Sequence, residues 1–255
     1  DKISPLNLNG RWKTVFSPDT DDSYPALGVF NQENGSNSIS ATFLTETGDY
    51  RYLEGNTTND SLYLSCFDGA HAFLFKAKLT GDTLCGQFFS GNHWSTSWNA
   101  VKNNNFELES PEDLTYTIND SPFEFQLPNL NGDTLRFPQD FKQDKVTIIQ
   151  IMGTWCPNCL DESKYYKDLY STYHDKGLEI VTVCYETGVG FEDYVANVNR
   201  LKNKLGLEFT FLIGGSAKKD LASKHFNTLN KITSFPTSIF IGKDGRIERV
   251  HTGFN

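Results

Sequence analysis

The sequence contains no apolar run that approaches the roughly 18 residues needed for a membrane-spanning helix. It has no initiator methionine, and residues 1–4 form no apolar signal core, so we expect a mature or trimmed chain. Basic residues are also fewer than acidic ones, and the formal net charge is -9 at pH 7. This charge argues against nucleic acid as a partner, since affinity for nucleic acid depends mainly on neutralised phosphates.

Patterns typical of metal and phosphate sites are missing as well. The five histidines are scattered without metal-ligand spacing, and we expect a surface or hydrogen-bonded core position for each. They are His71, His93, His174, His225 and His251. Glycines cluster only in turns, which predicts no phosphate-binding loop. The sequence therefore predicts no metal site and no nucleotide site.

Cysteine is scarce, and its odd count of five excludes a fully paired disulfide framework. Cys184 lies in the strand-like run 178–184 and is predicted to be a small buried apolar residue. Cys66 and Cys85 lie on separate predicted strands, and a bridge would require their Cα atoms within about 7 Å. Two buried free thiols are the favoured interpretation of that pair.

The first part of the chain, residues 1–105, is predicted to be an all-β domain. It contains no helical segment, and about eight short strands alternate with hairpin residues, which favours an antiparallel barrel or sandwich. The predicted strands are 11–16, 26–32, 38–45, 49–54, 61–67, 72–79, 83–89 and 95–101. The Asn-Gly-Arg-Trp opening at 9–12 resembles that of lipocalin-type barrels. A ligand-holding barrel is therefore an alternative to the favoured filled, structural barrel.

Residues 106–117 are predicted to be a linker, because they lack periodicity and include Pro111. From residue 118 to residue 255, strands and helices alternate, which is typical of an α/β sheet with parallel strands. The apolar run 146–151 predicts a buried strand, and 160–174 has helical spacing. The segment Trp155-Cys-Pro-Asn-Cys159 therefore lies where a strand ends and a helix begins.

This position makes the two cysteines a candidate redox dithiol. Pro157 suits the first helical position, where a backbone N–H would have no intrahelical acceptor. Cys156 then lies at the N-cap, where free N–H groups and the helix dipole stabilise a thiolate. Cys159 follows one turn later, so we expect an exposed, attacking Cys156 and a more buried, resolving Cys159. Half of a zinc site is the alternative, but no second ligand pair stands at zinc-site spacing.

A second signal is the segment 233–237, in which Phe235 and Pro236 precede a predicted strand. A cis peptide bond before Pro236 would form a sharp turn. Such a turn would bring the backbone of Phe235 beside the dithiol, where it could pair with an incoming peptide.

Three segments, 123–133, 149–159 and 235–245, resemble the thioredoxin-like proteins of the TlpA/ResA group. The resemblance covers roughly residues 120–255 and implies an α/β thioredoxin-like fold. It implies that Cys156 attacks, that Cys159 resolves, and that Glu162 assists proton transfer. A surface charge in the first helical turn is the alternative interpretation of Glu162. The residues implied to contact substrate are Trp155, Pro157, Phe235 and Pro236.

The resemblance also implies a function, namely a thiol:disulfide oxidoreductase that reduces disulfides of envelope proteins. It implies no cofactor besides the redox-active Cys156–Cys159 disulfide. The expected partners are protein disulfides and an upstream electron donor, and the expected location is the periplasm or cell envelope. A membrane tether and the last helix of the fold are expected outside this sequence.

Several features leave alternatives open. Gln150 stands where thioredoxin has a buried aspartate, so it is expected to form hydrogen bonds and not to titrate. A peroxiredoxin is disfavoured, because its pattern requires a threonine three residues before the cysteine and Thr154 lies only two before Cys156. A third class combines a ligand- or partner-binding barrel with a thioredoxin-like scaffold.

Overall fold

The structure is a computed structural model that describes residues 6–69 and 71–254. The segment 1–4, from which a trimmed chain was inferred, lies outside the described residues. The chain forms two compact units, and the division falls between Glu109 and Ser110. Within the described residues no helix is both long enough and apolar enough to cross a membrane.

The first unit is an antiparallel β-barrel, which confirms the predicted fold class and decides between barrel and sandwich. Its strands are β1 (Gly10–Phe16), β2 (Tyr24–Asn31), β3 (Ser38–Thr45), the short β4 (Gly48–Asp49), β5 (Leu53–Thr57), β6 (Ser61–Phe67), β7 (Ala72–Thr80), β8 (Thr83–Ser90) and β9 (Trp94–Lys102). They follow the order β2-β1-β9-β8-β7-β6-β5-β3, and pairing of β2 with β3 closes the barrel.

One predicted strand, 49–54, is wrong. Arg51 has a φ of 63°, which lies in the left-handed region and cannot continue a strand. The Asp49 carboxylate accepts a hydrogen bond from the Arg51 N–H (2.8 Å) and stabilises this turn. Pairing resumes only at Leu53, where β5 begins.

Aromatic side chains fill the barrel interior. Five of them are at most 1% exposed, namely Phe16, Phe43, Phe75, Phe88 and Trp98. Their rings pack closely, with centroids 4.3 Å apart for Phe75 and Phe88. This packing favours the structural interpretation of the barrel over the ligand-holding one.

The two cysteines of the barrel are free, as predicted, but they are not buried. Cys66 lies on β6 and is half-buried, whereas Cys85 lies on β8 and is exposed. Strand β7 separates β6 from β8. Side chains alternate across a strand, and Cys85 falls on the outward face of β8, so the prediction that Cys85 is buried was wrong.

Gly55 on β5 leaves no space for a side chain, because a Cβ would overlap the carbonyl oxygen of Tyr63 on the paired strand β6. We expect Gly55→Ala to lower the free energy of unfolding by about 3 kcal/mol, since it overpacks a paired backbone. Gly35→Ala is the control: its Cβ meets nothing within 4 Å, although its φ of 78° disfavours alanine. It should cost about 1 kcal/mol. Urea unfolding followed by near-UV circular dichroism measures both, and equal losses would contradict the prediction.

The second unit opens with the short helix α1 (Pro111–Leu114), which lies within the segment 106–117 that was predicted as a linker. The remaining α-helices and strands are β10 (Phe125–Pro128), β11 (Thr134–Phe137), β12 (Val146–Met152), α2 (Pro157–Tyr173), β13 (Leu178–Glu186), α3 (Phe191–Leu205), β14 (Thr210–Ser216), α4 (Lys219–His225), β15 (Thr237–Ile241) and β16 (Ile247–Thr252). Strands β10 and β11 pair antiparallel as a hairpin.

The central sheet has the order β14-β13-β12-β15-β16. Strands β12, β13 and β14 are parallel, while β15 runs antiparallel to both β12 and β16. Strand β12 lies in the middle and is buried after Val146, which explains its continuous apolar run. The arrangement confirms the thioredoxin-like fold.

This topology brings three chain segments to one edge of the sheet. Because β12 and β13 are parallel, their carboxyl ends lie side by side, and Met152 pairs with Cys184. Because β15 is antiparallel to β12, it begins at that same edge, where Ile151 pairs with Thr237. Three segments therefore meet at this edge of the sheet: the loop after β12, the last residues of β13 and the loop before β15.

Candidate active site

Cys156 is the N-cap residue of α2, with extended backbone angles (φ -95°, ψ 116°). Its sulfur accepts a hydrogen bond from the Cys159 N–H at 3.3 Å. Pro157 occupies the first turn, as the sequence predicted. The thiol therefore lies at the positive end of a 17-residue helix, where a negative charge is stabilised.

Both thiols are free, and they differ in exposure. Cys156 is 7% exposed and Cys159 is 0% exposed. The Cys156 thiol also donates a hydrogen bond to the Phe235 carbonyl oxygen (3.5 Å). Cys156 is less exposed than predicted, because the loop that carries Phe235 lies against its thiol. The predicted order, with Cys159 the more buried, agrees with the structure.

The surroundings shift the pKa values of the two thiols in opposite directions. The hydrogen bond with the Cys159 thiol lowers the pKa of Cys156, and the backbone N–H groups of Cys159 and Asn158 lower it further, against the effects of burial and of Glu162. Burial raises the pKa of Cys159 well above its ordinary value, and Cys156 raises it further. The first thiolate to form is therefore that of Cys156.

Glu162 lies on α2 one turn after Cys159 and is only 1% exposed. Three donors hold its carboxylate: the Gln150 amide (2.8 Å), the Ser238 hydroxyl (2.9 Å) and the Tyr166 hydroxyl (3.3 Å). Burial raises the pKa of Glu162 to about 7, although the three donors oppose this rise. Glu162 is therefore not the surface charge considered as the alternative.

Gln150 connects this carboxylate to the turn that holds Cys159. Its amide nitrogen also donates to the Ser163 hydroxyl (3.1 Å), and its amide oxygen accepts from Thr182 (3.2 Å). The Ser163 hydroxyl in turn donates to the Cys159 carbonyl oxygen (2.8 Å). These contacts agree with the expectation that Gln150 forms hydrogen bonds and does not titrate.

The loop before β15 completes the site. The Phe235–Pro236 peptide bond is cis, and both residues are buried. The Gly253 N–H donates to the Pro236 carbonyl oxygen (2.8 Å) and fixes this loop to the end of β16. The half-exposed Trp155 contacts the Phe235 ring edge to face, with centroids 6.0 Å apart. The predicted residues of the dithiol segment and of the Phe235–Pro236 loop thus lie at one edge of the sheet, and Glu162 lies one helical turn beyond Cys159, against Gln150 and Ser238.

Four further residues of the site were missed by sequence reasoning. Tyr166 and Ser238 hold Glu162, while Tyr185 and Glu186 at the end of β13 contact the loops on either side of the dithiol. The prediction of parallel strands β12 and β13 could have indicated Tyr185 and Glu186, because the carboxyl ends of adjacent parallel strands share one edge of the sheet.

Within residues 6–69 and 71–254, no group of three or more His, Cys, Asp or Glu side chains is arranged to hold a metal ion.

The fold and the site define a class, the thioredoxin-like proteins with a Cys-x-x-Cys dithiol at the start of a helix. Residues 118–250, about half of the chain, match the AhpC/TSA family. The chain belongs to this family.

Individual relatives were found in bacteria. The thiol-disulfide oxidoreductase ResA of Halalkalibacterium halodurans is 28% identical over 131 residues, which are 51% of this chain and 65% of the relative. The protein of that name from Bacillus anthracis is 31% identical over 124 residues, 48% of this chain and 62% of the relative. The match thus spans less than two thirds of these relatives. Among solved structures, StoA from Bacillus subtilis is 22% identical with a TM-score of 0.39, over 54% of this chain and 92% of that one.

Proposed function

We propose that this protein is a thiol:disulfide oxidoreductase that reduces disulfides of envelope proteins through Cys156 and Cys159. The observation that carries the proposal is the asymmetry of the dithiol. Cys156 lies at a helix N-cap with a lowered pKa, while Cys159 is fully buried with a raised pKa. In a dithiol of this kind, one cysteine attacks the substrate disulfide as a thiolate, and the other stays protonated until it resolves the mixed disulfide.

The reaction takes place in two exchange steps. The Cys156 thiolate attacks one sulfur of a substrate disulfide, which forms a mixed disulfide and releases the other substrate sulfur as a thiolate. Cys159 then loses its proton and attacks the Cys156 sulfur, which forms the Cys156–Cys159 disulfide and releases the second substrate thiolate. The substrate gains two electrons from the dithiol, and its two thiolates take up protons. A second dithiol, the upstream electron donor, reduces the enzyme by the same exchange in reverse.

Glu162 accepts the proton that Cys159 loses in the second step. Its pKa of about 7 suits this task, because a base works best when its pKa lies near the working pH. Four residues around the dithiol hold the substrate polypeptide, namely Trp155, Pro157, Phe235 and Pro236. The exposed face of Trp155 and the loop beside the Cys156 thiol support this assignment. No cofactor takes part in the exchange.

The resemblance to the TlpA/ResA group supports a location in the periplasm or cell envelope, with a membrane tether outside this sequence. The names of the ResA relatives support the reaction class. The substrates are disulfide-containing proteins of that compartment, and the electron donor is a dithiol protein that can reach the site.

The two other functions receive less support. A ligand-binding barrel would need interior space, whereas aromatic rings fill the centre of this barrel. A peroxiredoxin would need a threonine three residues before its cysteine, and Gly153 stands there in this chain. The hydroxyl of Thr154 donates to Glu186 and not to the Cys156 sulfur.

Reduction of insulin by dithiothreitol tests the proposal. The wild-type protein should shorten the lag before the reduced B chain precipitates, because Cys156 attacks the insulin disulfides faster than dithiothreitol does. The assay is run from pH 6 to 8, with bovine serum albumin as the protein control and hydrogen peroxide consumption as a second reaction. No acceleration at any of these pH values would contradict the proposed reduction, and rapid peroxide turnover alone would favour the peroxidase.

A further inference from the structure

A second buried carboxylate, Glu186, lies at the end of β13 and has no part in the exchange steps. It is 1% exposed, and both of its oxygens are engaged by one residue of the dithiol loop. The Thr154 N–H donates to Oε1 (2.7 Å), and the Thr154 hydroxyl donates to Oε2 (2.5 Å). A carboxylate is costly to bury, so paired bonds of this kind fix the loop strongly. Glu186 therefore holds the backbone immediately before Trp155.

Trp155 is held from β13 as well. Its indole N–H donates to the Tyr185 carbonyl oxygen at 3.0 Å. The absence of a side chain at Gly153 leaves room for the Trp155 ring in this orientation, because a Cβ at Gly153 would overlap the indole nitrogen. The indole nevertheless remains 43% exposed, so one face is directed at solvent beside the dithiol.

The side chain of Tyr185 contacts the other loop of the site. Its ring stacks on Phe235, with centroids 5.5 Å apart, and its hydroxyl hydrogen-bonds with His225 Nδ1 (2.7 Å). A Cβ at Gly214 would overlap this ring, so the absence of a side chain there makes room for it. The last two residues of β13 thus contact both loops that flank Cys156.

We propose that Glu186 is a positioning residue that fixes the orientation of Trp155 for the recognition of polypeptide substrates. The inference rests on the proposed function and deepens it. A polypeptide must lie across Trp155 and the Phe235 loop, whereas a small disulfide needs only access to the Cys156 sulfur. Loss of the Glu186–Thr154 contacts should therefore weaken binding of a protein disulfide and leave the reactivity of Cys156 unchanged.

Two variants each remove part of these contacts, and two serve as controls. Glu186→Gln removes the charge and faces an amide toward the Thr154 donors, while Thr154→Val removes only the hydroxyl. Thr154→Ser keeps the hydroxyl and should behave like wild type. Glu192→Gln removes an exposed charge from the first turn of α3 and controls for net charge.

Three readouts test the proposal. For insulin, Glu186→Gln and Thr154→Val should raise KM about tenfold with little change in kcat, which corresponds to the loss of one or two hydrogen bonds. Reaction of the reduced enzyme with 5,5′-dithiobis(2-nitrobenzoate) should proceed at the wild-type rate. The indole N–H resonance of Trp155, assigned with Trp155→Phe, should shift in both variants and not in the controls.

Unchanged KM values in both variants would overturn the proposal, and so would an equal loss of rate with insulin and with the small disulfide, which would indicate a merely structural role. An unshifted Trp155 resonance would also overturn it. If the wild-type protein does not reduce insulin, the proposed function fails, whereas the resonance still reports whether Glu186 positions Trp155.

Discussion

Replacing Cys156 by serine is expected to lower the rate of insulin reduction by about 10³-fold or more, because the hydroxyl is not a nucleophile at neutral pH. Cys159→Ser should also end turnover, but with a different product. Its Cys156 still attacks, and without a resolving thiol the enzyme remains bound to the substrate as a mixed disulfide. The buried serine hydroxyl can keep the hydrogen bond that the Gly153 backbone makes to Cys159, so the fold should persist.

Non-reducing electrophoresis and mass spectrometry measure these adducts, with insulin as the probe. Cys159→Ser should give one adduct per enzyme molecule, and Cys156→Ser should give none. Cys85→Ser is the matched control, because it removes an exposed thiol of the barrel that has no part in the exchange. Adducts formed through Cys159 in the Cys156→Ser variant would reverse the assigned roles.

The barrel shows which parts of a fold the sequence predicts. Hairpin residues between short apolar runs predicted most strands to within two residues at either end, because turn chemistry is local. The choice between barrel and sandwich depended on the pairing of β2 with β3, which no local pattern indicates. The left-handed backbone of Arg51 was also beyond prediction, since its residue type does not favour that conformation.

The site divides in a similar way. Cys156, Cys159 and Pro236 stand in short motifs whose chemistry depends on neighbouring residues, so the sequence predicted their positions. The burial of Glu162 could not be predicted, because it results from packing against Gln150 on β12 and Ser238 on β15. Its spacing along α2 is equally compatible with a surface position.

Two residues show what topology adds. Glu186 and Tyr185 carry no motif, and they reach the dithiol only because β13 lies beside β12. The exposure of Cys156 was overestimated for the opposite reason, since the sequence showed the helix N-terminus but not how closely the Phe235 loop covers the sulfur. Contacts between segments that are distant in sequence determine both outcomes.

Glu162 should give the reaction a distinct pH dependence. Its pKa is raised to about 7, so it is a carboxylate above that pH and a neutral acid below it. Only the carboxylate accepts the proton of Cys159, hence the second step should accelerate as pH rises through about 7 and then level off. In Glu162→Gln this inflection should vanish, and the rate at pH 8 should fall about 10²-fold, a typical contribution of a general base.

The first step should respond differently, which separates the two roles of the carboxylate. The charge of Glu162 raises the pKa of Cys156, so its removal should lower that pKa and should not slow attack by Cys156. Single-turnover stopped-flow kinetics from pH 5.5 to 9 resolve formation and decay of the mixed disulfide with insulin, and Glu208→Gln is an exposed control in the same unit. Tyr166 is a titratable group that hydrogen-bonds to Glu162, and because burial raises its pKa, it stays neutral throughout this range. An inflection near pH 7 that persists in Glu162→Gln would therefore assign the proton transfer to a group other than Glu162.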